Sequence, residues 1–205
     1  LKYHSGNPVI SNSEESIFLG KIKNELNKND LVLCVDYGHG IITNKVANYI
    51  SKKSKFLSVN SQFNSFNSKF HTISKIKNIN SLILNENEIR NEFKSSLKNL
   101  KSMTDKLIKS NNIKQIIITS GDEGARLFEK NKKQINVPAF ANKIIDKIGT
   151  GDAFLSMYTL ANYAKIDKKS SLLLASLAAS ISLETVGNSS FINKINIFIK
   201  REGFN

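Results

Sequence analysis

The chain has one cysteine, Cys34, in 205 residues. That excludes an intramolecular disulfide and a cysteine-rich metal site, and it points to a reducing setting. No apolar run approaches the roughly 18 residues a helix needs to cross a bilayer, so an integral membrane protein is not expected. The first ten residues, LKYHSGNPVI, lack the basic-then-apolar pattern of a secretory signal. A soluble, cytoplasmic protein is the expectation. Histidine is limited to His4, His39 and His71, which show no metal-ligand spacing and read as surface or turn residues. Arginine is scarcer still for so basic a chain: among 30 Lys and Arg residues only Arg90, Arg126 and Arg201 are arginines.

What is present in excess is lysine, with Asn, Ile and Ser, from end to end. The formal charge is +13. An excess of this size fits a nucleic acid or a membrane surface as partner. It fits equally the lysine-rich product of an AT-rich coding sequence. The lysines are scattered over polar stretches, the tightest groups being Lys52-Lys53 with Lys55, Lys132-Lys133 and Lys168-Lys169. Arginine, the side chain suited to bidentate phosphate and base contacts, is nearly missing. Neither a nucleic acid nor a membrane is therefore the expected partner. The hydrophobic fraction, 40%, is that of an ordinary globular domain. The first residue is Leu1 rather than methionine, so the chain reads as a fragment.

Short apolar runs alternate with amphipathic stretches. Residues 1–30 look peripheral, with a loop to about Ser13 and a helix whose apolar face is Ile17, Phe18, Ile22 and Leu26. Leu31–Val35 is a continuous apolar run, the mark of a strand buried on both faces. Further strands are expected at Phe56–Val59, Leu82–Leu84 and Ile116–Thr119, then two short ones near Ala125–Phe128 and Gln134–Val137. Helices are expected from about Thr43 to Lys52, after the turn Asn85–Glu88 through about Lys109, and from Gly149, the last with Ala153, Phe154, Met157, Leu160, Ala161 and Ala164 on its apolar face. A Leu/Ala/Ser-rich helix over about Lys169–Glu184 reads as buried all round, and a final helix spans about Ile192–Arg201. No repeat or linker interrupts this order. The pattern predicts a single α/β domain, doubly wound on a mostly parallel central sheet.

Ligands of such sheets sit beyond the carboxyl ends of the strands. Four polar turns fall there: Asp36–Gly40, Asn60–Asn67, Asn85–Glu88 and Ser120–Gly124. The helix opening at Gly149-Thr150-Gly151-Asp152 starts in the same region. Its glycines let a ligand approach the backbone, and the first-turn N–H groups form an anion site. Asp152 reads either as a base that takes a proton from an attacking hydroxyl or as an ordinary helix-start residue. Asn85 and Glu88 either help hold a hydrated magnesium ion or cap a helix. Thr119, Gly121 and Gly124 form a nucleotide loop or a tight β-turn; no Gly-Lys-Ser/Thr follows, so it is not a P-loop. Residues Asn60–Phe70 alternate amides and hydroxyls with aromatics, as a sugar-reading loop or a polar surface loop would.

Asp146–Phe154, reading D-K-I-G-T-G-D-A-F, resembles the second signature of PfkB-type, ribokinase-like carbohydrate kinases, D-T-x-G-A-G-D-A-F. Three further stretches fall in that family's order: Asn85–Glu88 resembles its N-x-x-E motif, Thr119–Gly124 its T-x-G-x-x-G turn, and Asp36–Gly40 the D-Y-G-K-G stretch of the kinase part of bifunctional heptose-phosphate kinase/adenylyltransferases. The resemblance covers about residues 31–200. It departs at Thr150 for alanine, at Lys147 for threonine, and at Val59–Gln62, where the family has D-P-x-K. Family members are longer, so the chain corresponds to the C-terminal two-thirds of a kinase domain, without the first glycine-rich signature, much of the sugar pocket and the lid.

The resemblance implies a ribokinase-like three-layer α/β/α fold and an ATP- and magnesium-dependent transfer of phosphoryl to a hydroxyl of a sugar or sugar phosphate. By it Asp152 is the general base, and Gly149, Thr150 and Gly151 form the anion hole. Asn85 and Glu88 place magnesium and phosphates, with Glu88 acting on the metal indirectly. Thr119, Gly121 and Gly124 line the nucleotide, and Asn188 borders the adenine. Asp36, Gly38, Asn60 and Gln62 fall on the substrate side. A homodimer and a fused nucleotidyltransferase domain are the assemblies it allows. Two other readings stand beside it: a non-catalytic nucleotide-binding remnant or subunit, and a vitamin-precursor kinase of the ribokinase-like group.

Overall fold

The computed structural model describes residues 10–62, 73–93, 99–186 and 192–203. The chain divides into two compact units, residues 1–116 and 117–205, with the boundary inside the fourth strand. Six strands form one sheet in the order β1-β2-β3-β4-β5-β6.

In the first unit, α1 (Asn12–Leu26) begins at a capping box. The Ser11 hydroxyl accepts the Glu14 N–H, and the Glu14 carboxylate accepts the Ser11 N–H. The start thus lies two residues before Ser13. The buried stripe is also turned from the expected one: Leu19 and Leu26 are buried while Ile17 is exposed. Positions 19, 22 and 26 follow the helical repeat, and Ile17 falls off that face. β1 (Leu31–Asp36) follows, then α2 (Asn44–Lys53), whose N–H at Val46 is capped by Thr43.

β1 runs parallel to β2 (Phe56–Ser61), with Leu31 opposite Phe56 and Asp36 opposite Ser61. β2 runs parallel to β3 (Ser81–Asn85), with Asn60 opposite Ile83. β3 is buried from Ser81 to Leu84. β1 is not buried on both faces: Leu33 is 40% exposed. The reason is its place at the end of the strand order, where an apolar trough of about 410 Å³ lies between α1, β1 and α2.

The single helical stretch expected after β3 is two helices among the described residues. They are α3 (Glu86–Glu92) and α4 (Leu100–Asn111), the latter closing on Asn112 in the left-handed conformation. β4 (Gln115–Thr119) is buried up to Ile118. The buried amide of Asn111 donates to the carbonyls of Ile73 and Ile76, fixing the short 3-10 turn Ile73–Lys75.

In the second unit, β5 (Ala125–Glu129) and β6 (Ile135–Val137) pair antiparallel, with Ala125 opposite Val137. Then come α5 (Thr150–Tyr163), α6 (Lys168–Leu183) and α7 (Lys194–Glu202). α5 packs on α6, and its buried face is Phe154, Leu155, Tyr158, Thr159 and Ala161. Leu160, expected inside, is 55% exposed, and Ala164 is exposed with it. The larger Tyr158 takes the buried position and Leu160, two residues on, points away. α6 is buried or half-buried along almost its whole length, as its composition predicts. No helix among the described residues is long and apolar enough to cross a membrane.

Candidate active site

The parallel pairing of β1, β2 and β3 carries their carboxyl ends to one edge of the first unit. There the structure brings together Asp36, Gly38, Asn60 and Gln62. The Gln62 N–H donates to the Asp36 carbonyl at 2.8 Å. Asp36 itself is buried, and its Oδ1 accepts the Gly38 N–H at 2.9 Å. Gly38 and Gly40 both have positive φ, so the turn doubles back sharply after the strand. Its exposed side chains are Tyr37 and His39, while Gly38 is buried. His39 is thus a turn residue, as expected; His4 and His71 lie outside the described residues. The Asn60 amide is buried and donates to the Ile83 carbonyl across to β3. The rest of the amide-rich stretch, residues 63–70, lies outside the described residues, as does Asn188.

The Lys75 ammonium meets Asp36 Oδ2 at 2.6 Å, with both side chains less than a tenth exposed. The contact is ionic and lacks the alignment of a hydrogen bond. Sequence reasoning missed Lys75 because it sits in a polar stretch far from any motif. Cys34, two residues before Asp36, is buried as well. Burial, followed by the Asp36 charge, pushes its thiol up to about 12, with Lys75 pulling the other way. Such a thiol is inert as a nucleophile.

At the end of β3, Asn85 and Glu88 form a complete capping box. Asn85 Oδ1 accepts the Glu88 N–H at 2.8 Å, and Glu88 Oε2 accepts the Asn85 N–H at 2.7 Å. The helix-cap reading of this pair is what the geometry displays. Glu88 is buried and Asn85 exposed. Among the described residues no three His, Cys, Asp or Glu side chains cluster as a metal site. A magnesium ion here fits only as one carried by water and nucleotide phosphates, with Glu88 outside its direct ligands.

In the second unit, the turn after β4 runs through Gly121 and Gly124, both with positive φ. The Ser120 N–H donates to the Gly124 carbonyl and the Gly124 N–H to the Gly121 carbonyl. Arg126 braces the turn, donating to Ser120 Oγ at 2.8 Å and to Glu123 Oε2 at 2.9 Å. The rarity of arginine in the chain was the one signal that pointed to it.

The start of α5 differs from every other described α-helix. α1, α2, α3, α4, α6 and α7 are each capped by a side chain, from Ser11, Thr43, Asn85, Asn99, Asp167 and Asn193. α5 begins on Gly149, at φ 80°, with no side-chain cap. Asp152 stands half-buried in its first turn, and the Thr150 hydroxyl is buried without a hydrogen-bond partner. The approach is anchored from α6: the Ile145 and Asp146 N–H groups donate to the Leu183 carbonyl, and Asp146 Oδ1 accepts the Ile148 N–H. Uncapped first-turn N–H groups at the positive end of a helix suit a phosphate, so the residues present fit a nucleotide triphosphate.

Comparison with known proteins bears out the family that the chain resembles. The chain is 29% identical over 177 residues to the bifunctional protein HldE of Campylobacter curvus, covering 85% of this chain and 37% of that protein. It is 30% identical over 76 residues to inositol 3-kinase of Arabidopsis thaliana, covering 37% of this chain and 21% of that one. The chain thus spans little more than a third of the length of the HldE protein it matches. Among solved structures it superposes on Escherichia coli phosphofructokinase-2 in complex with potassium with a TM-score of 0.75 at 13% identity, covering 96% of this chain and 64% of that one. On Arabidopsis thaliana ribokinase complexed with ribose and ATP the TM-score is 0.69 at 18% identity, covering 94% and 60%. These establish the ribokinase-like α/β fold with its mostly parallel sheet. The model of the pfkB family carbohydrate kinases matches residues 33–195, a span that holds the D-Y-G, N-x-x-E, T-x-G-x-x-G and G-T-G-D stretches in order, and the chain belongs to that family.

Proposed function

We propose that residues 1–205 act as one kinase domain that transfers phosphoryl from ATP to a hydroxyl of a sugar or sugar phosphate. The observation that carries this reading is the opening of α5, where a helix start without a side-chain cap, two glycines and a carboxylate coincide. Asp152 takes the proton of the attacking hydroxyl as general base. The N–H groups of Gly149, Thr150 and Gly151 hold the charge that develops on the transferred group. Phosphoryl transfer needs positioning and charge stabilisation more than covalent chemistry, and this helix start supplies both. Bound ATP supplies the phosphoryl group, with magnesium as its counter-ion.

Glu88 and Asn85, which keep their mutual cap, would hold through water a magnesium ion carried by the nucleotide, and Thr119, Gly121 and Gly124 would lie along the nucleotide. Asn188 borders the adenine. Asp36, Gly38, Asn60 and Gln62 shape the acceptor side, where the relatives' D-P-x-K stretch is replaced. The HldE relatives are bifunctional, which supports a fused nucleotidyltransferase domain; a homodimer and a cytoplasmic setting are proposed beside it. The test is ADP release by the chain with ATP and magnesium across a panel of pentoses, hexose phosphates and heptose phosphates. Stimulation by a member of the panel is the expected result. ATP binding with no stimulation by any of them contradicts kinase action and supports the nucleotide-binding remnant instead.

A further inference from the structure

A lysine ammonium buried against a carboxylate is expensive to keep. Removing two charges from water is costly, and the attraction regained seldom exceeds that cost. Lys75 and Asp36 are such a pair, both side chains under a tenth exposed. Neither end is left to drift. The 3-10 turn that carries Lys75 is tied down by Asn111, which donates to the Ile73 and Ile76 carbonyls, and by Glu92, which accepts the Ile73 N–H. Just beyond it, Ser51 accepts the Lys77 N–H. Asp36 in turn holds the Gly38 N–H on its other oxygen and the Gln62 N–H on its carbonyl. The ammonium therefore acts on a rigid mount, and the group it fixes is the anchor of the turn 36–40. Its burial keeps it from touching a ligand; the groups that reach solvent from the turn are Tyr37 and His39.

We infer that Lys75 is a positioning residue for the sugar acceptor: through Asp36 it locks the turn that presents Tyr37 and His39. This rests on the reading of that turn as the acceptor side of a kinase. Without the ammonium, Asp36 is left as a buried unpaired charge and draws toward water, releasing the Gly38 N–H. A displacement of that size at a binding turn weakens the acceptor and leaves the nucleotide alone.

The test has two arms on the full chain. The first is hydrogen exchange at the Gly38 amide, which needs no activity. In Lys75→Met it accelerates by about tenfold or more relative to core amides such as those of β3, and Lys75→Arg restores protection. If Lys75→Met does not fold, Lys75→Gln, which keeps a polar donor beside Asp36 without the charge, keeps the measurement with Asp36 intact as the Gly38 acceptor; faster Gly38 exchange there supports the clamp. Unchanged Gly38 exchange in the folded variants overturns the inference. The second arm is steady-state kinetics on whichever pentose or sugar phosphate the wild type uses. The acceptor KM rises roughly tenfold to a hundredfold with the ATP KM unchanged. A fall in kcat or a rise in the ATP KM with an unaltered acceptor KM overturns it. A wild type that phosphorylates no acceptor contradicts the kinase reading, and Gly38 exchange still decides whether the clamp exists.

Discussion

Gly124 lies so close to the main chain of Val137 that a Cβ built on it would sit 2.1 Å from the Val137 carbonyl oxygen and 2.6 Å from the Pro138 carbonyl carbon. The obstacle is backbone on the paired strand, so it cannot swing aside. The conformation, φ 82° and ψ −137°, is also one that only glycine adopts readily. Gly121 shares the turn but has nothing within 4 Å of its would-be Cβ. Gly124→Ala is therefore expected to cost about 3 kcal/mol or more in urea unfolding. Gly121→Ala is expected to cost about 1 kcal/mol, the left-handed penalty alone. Equal costs at the two positions would contradict this division of labour.

Gly151 separates folding from function in the opposite way. It stands in the first turn of α5 in an ordinary helical conformation, with open space where a side chain would go. Alanine there favours the helix by up to about 1 kcal/mol, so the melting temperature of Gly151→Ala should hold or rise. Its methyl group enters the space through which a phosphate reaches the N–H groups. Sugar-dependent ADP release should fall by about tenfold or more. A variant of normal activity would show that no ligand approaches there.

Glu184 predicts an acid-sensitive contribution to stability. Burial pushes its carboxyl up, but the Lys200 ammonium and the Asn142 N–H outweigh that and hold it below its ordinary range. A lowered folded value means the stabilisation is fully present above the ordinary pKa and is lost as pH falls through the lowered one. Melting temperature should therefore drop as pH falls below the ordinary glutamate pKa of about 4.3. Glu184→Gln should be less stable at neutral pH and lose part of that slope; an unchanged slope would exclude the pair as its source.

Cys34 should be silent toward thiol reagents in the folded protein, since its thiol is buried and pushed up to about 12. Mixing with a disulfide reagent at pH 8 should give no release of chromophore until denaturant is added. Prompt reaction in the native state would mean that the β1 edge opens freely.

Most strands were legible because they are short apolar runs closed by a polar turn, and the mostly parallel sheet followed from their alternation with helices. β1 was the exception: Leu31–Val35 looks like a doubly buried strand, yet Leu33 is exposed because burial depends on what lies beside an edge strand, which composition does not record. Helix phase was less legible. Ile17 and Leu160 were placed inside by their chemistry and turned outward by the packing of Leu19 and Tyr158. The motif stretches at Asp36, Asn85, Thr119 and Gly149 stood out by their resemblance to a family's motifs taken in order, since each alone reads equally as a helix start, a helix cap or a tight turn. The roles inside them were not so readable: Asn85 and Glu88 spend their side chains on one another as a cap. Lys75 was invisible because its meaning comes from a distant partner, Asp36 across 39 positions; Arg126, which braces the turn just before it, was marked only by the scarcity of arginine.

The account depends most on Asp152. Asp152→Asn keeps the size and polarity of the side chain and removes its capacity to take a proton. Measured as kcat for the sugar acceptor at saturating ATP, the variant should fall by about a hundredfold to ten-thousandfold with its melting temperature little changed. Retention of wild-type kcat would contradict the assignment of Asp152 as the base, and with it the reading of the α5 start as the centre of phosphoryl transfer.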